Sequence, residues 1–133
     1  MFHILNRRNQ RKGAIAAVEF EGEPYGAGIS FFQGNLLPGK GPGLHKHPYA
    51  ETCIMLSGQA AMVVDGEEIV AGAGDIVVIA PATPHRFTAI GDEWLAMVCV
   101  HASDRIVIEC LSDDSPKTPV YRWSFCRIPE KAL

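Results

Sequence analysis

Short apolar stretches, several of them alternating with polar positions, recur along the chain at close intervals. Residues 17–20, 29–37, 51–56, 60–64, 67–70, 75–79, 85–90, 94–101 and 105–111 have this form, bounded by Gly, Pro, Asp or Asn. A period of two lets a strand put one face in a core and the other in water, and the bounding residues supply turn geometry. Asp65-Gly66 between two such stretches predicts a tight hairpin, because a type I′ turn needs positive φ at both central residues. Ser57-Gly58 and Gly72-Ala73-Gly74 punctuate in the same way. No segment carries a sustained helical period. After a loop at 116–119, Tyr121, Trp123 and Phe125 alternate with Arg122, Ser124 and Cys126, which predicts one more strand. Many short strands predict an all-β sandwich or barrel, since closing a sheet removes its bare edges.

The 133 residues fit a single domain over 1–133: a barrel core at about 26–111, an N-terminal arm at 1–25 and a C-terminal segment at 112–133. A net charge of −3 gives no electrostatic reason to expect nucleic acid or an anionic membrane as partner. The basic run Arg7, Arg8, Arg11 and Lys12 reads as a solvated arm. No apolar run approaches the roughly 20 residues of a membrane span. The start Met1-Phe2-His3-Ile4-Leu5 turns polar before it makes a signal peptide's apolar region, so a cytoplasmic protein is expected. Cys53 and Cys99 lie in apolar runs, Cys110 and Cys126 near the C-terminal end, and none forms a C-x-x-C pair. Reduced, mostly structural thiols are the expectation.

Histidine carries the candidate chemistry. His45 and His47 are one residue apart, and on a strand such neighbours project to one side. Glu51 follows after Pro48-Tyr49-Ala50, a connection short enough to reverse the chain and start the next strand. His85 follows Pro81-Ala82-Thr83-Pro84 at the start of a later strand. Three imidazoles and one carboxylate suit a divalent transition metal: iron, manganese, nickel or zinc. His-x-His alone recurs by chance, and a lone strand histidine is more often a satisfied polar residue than a ligand. Alternation places Cys53 and Met55 on the side of Glu51, and Phe87 on the side of His85, where packing is the ordinary role. His101 ends the apolar stretch 94–101 beside polar residues; it is the candidate catalytic acid–base group at the barrel mouth. His3, in the arm, reads as incidental.

The spacing resembles the cupin family. Its first motif is Gly, five residues, His-x-His, three or four residues, Glu, six residues and Gly; Gly39, His45, His47, Glu51 and Gly58 match every interval. Its second has the form G-D-x-x-x-x-P-x-G-x-P-H with an Asn four residues after the His. Here GDIVVIAPATPH supplies Gly74, Asp75, Pro84 and His85, with Pro81 one position later than the pattern's first Pro, Ala82 in place of the usual Gly and Ala89 in place of the usual Asn. The resemblance implies a double-stranded β-helix, or jelly-roll, barrel holding one divalent metal through His45, His47, Glu51 and His85. It also implies a small metalloenzyme, of dioxygenase or isomerase type, acting on a small organic molecule that coordinates the metal. The alternative is a non-catalytic, metal-dependent small-molecule-binding module. Small cupins are commonly homodimers, and an interface that includes one or both of the segment 14–20 and the Tyr121, Trp123 and Phe125 face is expected.

Overall fold

A computed structural model describes residues 1–6, 11–12 and 16–111. Their strands are β1 (Arg11–Lys12), β2 (Ala16–Glu21), β3 (Ser30–Leu36), β4 (His45–Lys46), β5 (Glu51–Ser57), β6 (Gln59–Val64), β7 (Glu67–Gly72), β8 (Ile76–Ile79), β9 (His85–Ile90), β10 (Leu95–His101) and β11 (Glu109–Cys110). A 3-10 turn at Glu23–Tyr25 joins β2 to β3. The strands form two antiparallel sheets, ordered β1-β2-β3-β10-β5-β8 and β11-β4-β9-β6-β7. No helix among the described residues is long and apolar enough to cross a membrane.

Period-two patterning builds the core. Along β10, Leu95, Met97, Cys99 and His101 are buried while Ala96, Val98 and Val100 are only half-buried, and β9 alternates in the same way. One cluster joins the two inner faces: Phe32, Cys53, Met55, Leu95 and Met97 from the larger sheet meet Ala60, Met62, Ala71, Phe87 and Ala89 from the smaller. Each large side chain so buried contributes about 1.5–3 kcal/mol. The hairpin expected at Asp65-Gly66 is present between β6 and β7, with φ of 51° and 82° at its two central residues.

Small residues let the 37–44 loop lie against β9 and deliver the first histidine. Gly39 N–H donates to the Ala89 carbonyl (2.7 Å), and Ala89 N–H donates to the Lys40 carbonyl (2.8 Å). A Cβ on Gly41 would meet the Phe87 carbonyl oxygen at 2.0 Å, so only glycine fits there.

Three expectations need revision. The segment 105–111 is not a full strand; only Glu109–Cys110 is, paired with β4. The reason lies in its backbone partners: Ile106 N–H donates to Glu21 Oε2, Val107 N–H donates to the Tyr49 hydroxyl, and the Val107 carbonyl accepts from His47 Nδ1. Side chains have taken the groups that a ladder would use. Arg11 and Lys12 are not merely a solvated arm, since their backbone pairs with Val18 and Ala17 in β2. Strand β2 in turn pairs along its length with β3 of its own chain, rather than standing free for a partner. Thirdly, Cys53 and Cys99 are free thiols but Cys110 is disulfide-bonded, against the expectation of reduced thiols throughout. Arg7, Arg8, the 116–119 loop, Tyr121, Trp123, Phe125 and Cys126 lie outside the described residues.

Ala82, in place of the family's glycine, adopts a left-handed φ of 61° while its N–H donates to the His47 carbonyl (2.7 Å). That conformation costs a residue with a Cβ about 1–2 kcal/mol. Glycine removes the strain but adds roughly 0.4–1 kcal/mol of unfolded-chain freedom. Ala82→Gly is therefore expected to raise the melting temperature by a few degrees in differential scanning calorimetry; a fall would show that the turn carries no such strain.

Candidate metal centre

Both sheets contribute to one buried cluster. In the smaller sheet His45 of β4 stands opposite His85, the first residue of β9. In the larger, Glu51 opens β5 and stands opposite His101, the last residue of β10. His47 follows β4 in the connection to β5. All five are buried, with exposures between 1% and 6%. The ligating atoms of His45, His47, Glu51 and His85 lie within 4.8 Å of one another, so these four residues together could hold a metal ion.

The hydrogen bonds on the far side of each ring define what faces the centre. His45 Nδ1 is 2.7 Å from the Gly43 carbonyl, His47 Nδ1 2.8 Å from the Val107 carbonyl, and His85 Nδ1 2.8 Å from the Thr83 carbonyl. A carbonyl only accepts, so each Nδ1 carries the hydrogen and each neutral ring keeps a bare lone pair at Nε2. Two of those lone pairs meet the carboxylate: Glu51 Oε1 is 3.0 Å from His47 Nε2 and 2.9 Å from His85 Nε2. The His47 contact is short yet lacks hydrogen-bond geometry, and this buried nitrogen has no hydrogen-bond partner. Electron-rich atoms so close are held together by a shared cation, either a proton or a metal ion. The donor set thus fits a divalent metal by its own chemistry.

Burial, followed by the neighbouring His85 and His47, pushes the His45 imidazole down to about 3, against smaller upward pulls from Glu51 and the Gly43 carbonyl. Burial acts on Glu51 in the upward direction. The close Nε2 contacts of His47 and His85, with the electrostatic pull of His85 and His101, outweigh it and hold the carboxyl well below its usual range.

Two further groups border the cluster. His101, the candidate acid–base group, is buried, with Nε2 3.7 Å from Glu51 Oε2. Burial pushes it down to about 4. Its Nδ1 meets the hydroxyl of Tyr49 at 2.5 Å; that hydroxyl accepts from Val107 N–H (3.1 Å) and also lies 3.4 Å from the Val107 carbonyl. Burial raises the Tyr49 hydroxyl to about 12, and its ring stacks on His47 at 5.1 Å. Sequence reasoning passed over Tyr49. The available signal was the continued two-residue spacing His45, His47, Tyr49, Glu51. Cys53, Met55 and Phe87 lie on the expected inward faces. A hydrogen bond with Cys53, then burial, raises the Cys99 thiol well above its ordinary value.

These shifts give the metal-free protein an acid-labile core. Unfolded imidazoles bind protons at about 6.5, whereas folded His45 and His101 do so only at about 3 and about 4. Between those limits the unfolded state holds more protons, so stability falls as the pH drops. Glu51, depressed in the fold, acts in the same direction below its ordinary value of 4.5. Chelator-treated protein is expected to lose melting temperature steadily from about pH 7 to about pH 4; a flat profile would contradict the burial of neutral imidazoles.

Comparison with known proteins places this geometry. Residues 33–101, more than half of the chain, match the cupin domain family. An uncharacterised protein of Methanocaldococcus jannaschii is 37% identical over 57 residues, which span 42% of this chain and 46% of that relative, under half its length. Among solved structures, the oxalate decarboxylase of Bacillus subtilis, with Mn(II) centres, superposes at a TM-score of 0.67 and 24% identity. That match covers 77% of this chain but only 30% of the decarboxylase. An oxalate oxidase in complex with the substrate analogue glycolate gives 0.66 at 19% identity, over 79% of this chain and 61% of the oxidase. These two are likenesses of fold alone. A cupin 2 conserved barrel domain protein of Salinispora arenicola gives 0.61 at 28% identity, over 76% of this chain and 87% of that one. With the matched stretch spanning both motifs, the two-sheet barrel and the buried histidine–glutamate cluster, the chain belongs to the cupin family.

Proposed function

We propose that this chain is a small metalloenzyme of dioxygenase or isomerase type, acting on a small organic molecule that coordinates one divalent metal ion. The observation that carries the reading is the convergence of Nε2 lone pairs on the Glu51 carboxylate, each ring fixed by a backbone carbonyl behind it. His45, His47, Glu51 and His85 would be the ligands, and a six-coordinate metal would keep about two positions for substrate or dioxygen. A metal bound there supplies Lewis acidity or dioxygen activation. Iron, manganese, nickel and zinc all suit the donor set, and the Mn(II) centres of the structurally similar decarboxylase support manganese as the first to test. The names of two neighbours, an oxalate decarboxylase and an oxalate oxidase, support small chelating carboxylates as the first substrate class.

A second reading is a non-catalytic, metal-dependent binding module. It draws on the scarcity of acid–base groups along the barrel strands. The Tyr49–His101 pair favours catalysis instead: the Tyr49 hydroxyl meets His101 Nδ1 and so fixes the ring with its other nitrogen beside Glu51. His101 is the acid–base group of this proposal and Tyr49 the residue that positions it.

Loading chelator-treated protein with each metal in turn tests both readings. At a free metal concentration about a hundredfold above its dissociation constant, binding to the fold alone adds about 2.7 kcal/mol of stability. Wild type is expected to melt higher with metal, and His47→Ala to be indifferent to it while staying folded. Dioxygen uptake and product formation are then followed across small carboxylates. Turnover that His101→Ala loses, with its metal content intact, is the expected result; binding without turnover would select the module, and melting unaffected by any metal would refute the site.

A homodimer is part of the proposal, and the described residues offer a further candidate interface beside Tyr121, Trp123 and Phe125. Segment 16–21 is engaged in its own sheet, whereas the outer face of the larger sheet leaves Leu56, Ile76 and Val78 52%, 63% and 66% exposed, the last two on edge strand β8. An apolar edge of this kind invites self-association. Light scattering at micromolar concentration is expected to give twice the 14.4 kDa of one chain, and a monomer mass from Ile76→Lys/Val78→Lys.

A further inference from the structure

The two oxygens of Glu51 keep different company. Oε1 belongs to the histidines, 3.0 Å from His47 Nε2 and 2.9 Å from His85 Nε2. Oε2 is 3.7 Å from Cys53 Sγ and 3.7 Å from His101 Nε2, a buried nitrogen without a hydrogen-bond partner. Across the β5–β10 ladder, Glu51 stands opposite His101, Cys53 opposite Cys99, and Met55 opposite Met97. The inward face therefore descends from acid and imidazole, through two thiols, to two thioethers. Both cysteines are free and buried, and their sulfurs lie within 4.8 Å of each other and of a Glu51 oxygen. An ion bonded to two sulfurs at about 2.3 Å holds them roughly 4 Å apart, which this spacing accommodates.

We propose that Cys53, Cys99 and the Glu51 carboxylate form a second cation position, beside the histidine cluster and sharing its carboxylate, that takes a thiophilic divalent ion of the zinc and cadmium class. Packing explains a buried cysteine taken singly, because the thiol behaves as a small apolar group. It does not explain two thiols facing each other across a ladder with a carboxylate oxygen turned toward them. On binding, the two thiols release two protons and the divalent ion gains two sulfur bonds. Exchanging two protons for one divalent ion adds no net charge beyond the one Glu51 already carries, which an interior floored by Met55 and Met97 accepts far more readily than an uncompensated charge. Soft sulfur donors select against manganese or magnesium, so the two positions differ in the ion they prefer.

The test uses the full chain, stripped of metal, reduced with a phosphine and titrated with Cd(II). Native mass spectrometry is expected to show two ions per chain, with a sulfur-to-cadmium charge-transfer band in the ultraviolet. Cys53→Ala/Cys99→Ala should bind one ion fewer and lose the band, whereas His47→Ala should keep the band. That second arm separates failure of this proposal from failure of the histidine site. A single ion in wild type without the band overturns it, as does a band of full strength in the double cysteine variant, which would assign it to Cys110 and Cys126. Should the double variant not fold, cadmium X-ray absorption on unreduced wild type, in which Cys110 is held as a disulfide, decides the matter. Sulfur neighbours support the second position, and a shell of nitrogen and oxygen alone overturns it.

Discussion

Three backbone carbonyls, those of Gly43, Thr83 and Val107, hold the chemistry of this barrel in place. By accepting from Nδ1 they orient each imidazole and leave its lone pair facing inward, where Glu51 waits. Without a cation this is an unfavourable arrangement, because buried electron-rich atoms face one another with no hydrogen between some of them. The apolar strands make it tolerable. Leu95, Met62, Met55 and Ile79, all almost wholly inaccessible, supply the burial that holds a strained polar cluster at one end of the core.

The same carbonyl at Val107 shows how the site shapes the fold around it. Strand-forming residues at 105–108 do not join the ladder, because Glu21, Tyr49 and His47 already engage their backbone groups. Irregular backbone at this point serves two side chains at once: His47 through the carbonyl, Tyr49 through the N–H. A regular strand would satisfy its own neighbours and leave both rings free to turn. Tyr49 then links the segment to His101, so one stretch of irregular chain braces two of the four buried histidines.

Glu51 is the point at which the cluster meets the rest of the barrel interior. It is buried, it faces His47 and His85 through one oxygen, and it faces Cys53 and His101 through the other. A group so placed couples whatever happens on its two sides. Its depressed protonation arises from the histidines, and its negative charge contributes to the upward shift at Cys99. Changes at Glu51 will therefore be harder to interpret than changes at any single histidine, since contacts this close are not additive.

Much of the architecture was legible from local pattern. Alternation along 51–56, 85–90 and 94–101 located β5, β9 and β10 to within a residue, and Asp65-Gly66 named its own turn. The motif spacing that resembles the cupin family, rather than His-x-His alone, singled out His45, His47, Glu51 and His85, the four residues that cluster. Pattern failed where partners are distant. Nothing near residue 107 in the chain announces that its carbonyl is 2.8 Å from a ring 60 residues earlier, and nothing near Tyr49 announces His101, 52 residues on. Whether His101 meets Glu51, and whether Cys53 meets Cys99, depends on the register between β5 and β10. The sequence by itself determined the strands and their inward faces, because those follow from side-chain periodicity within each strand, and its motif spacing singled out the four residues that gather. Only the tertiary structure decided which inward-facing groups touch, because register and sheet order are set by the packing of the whole core.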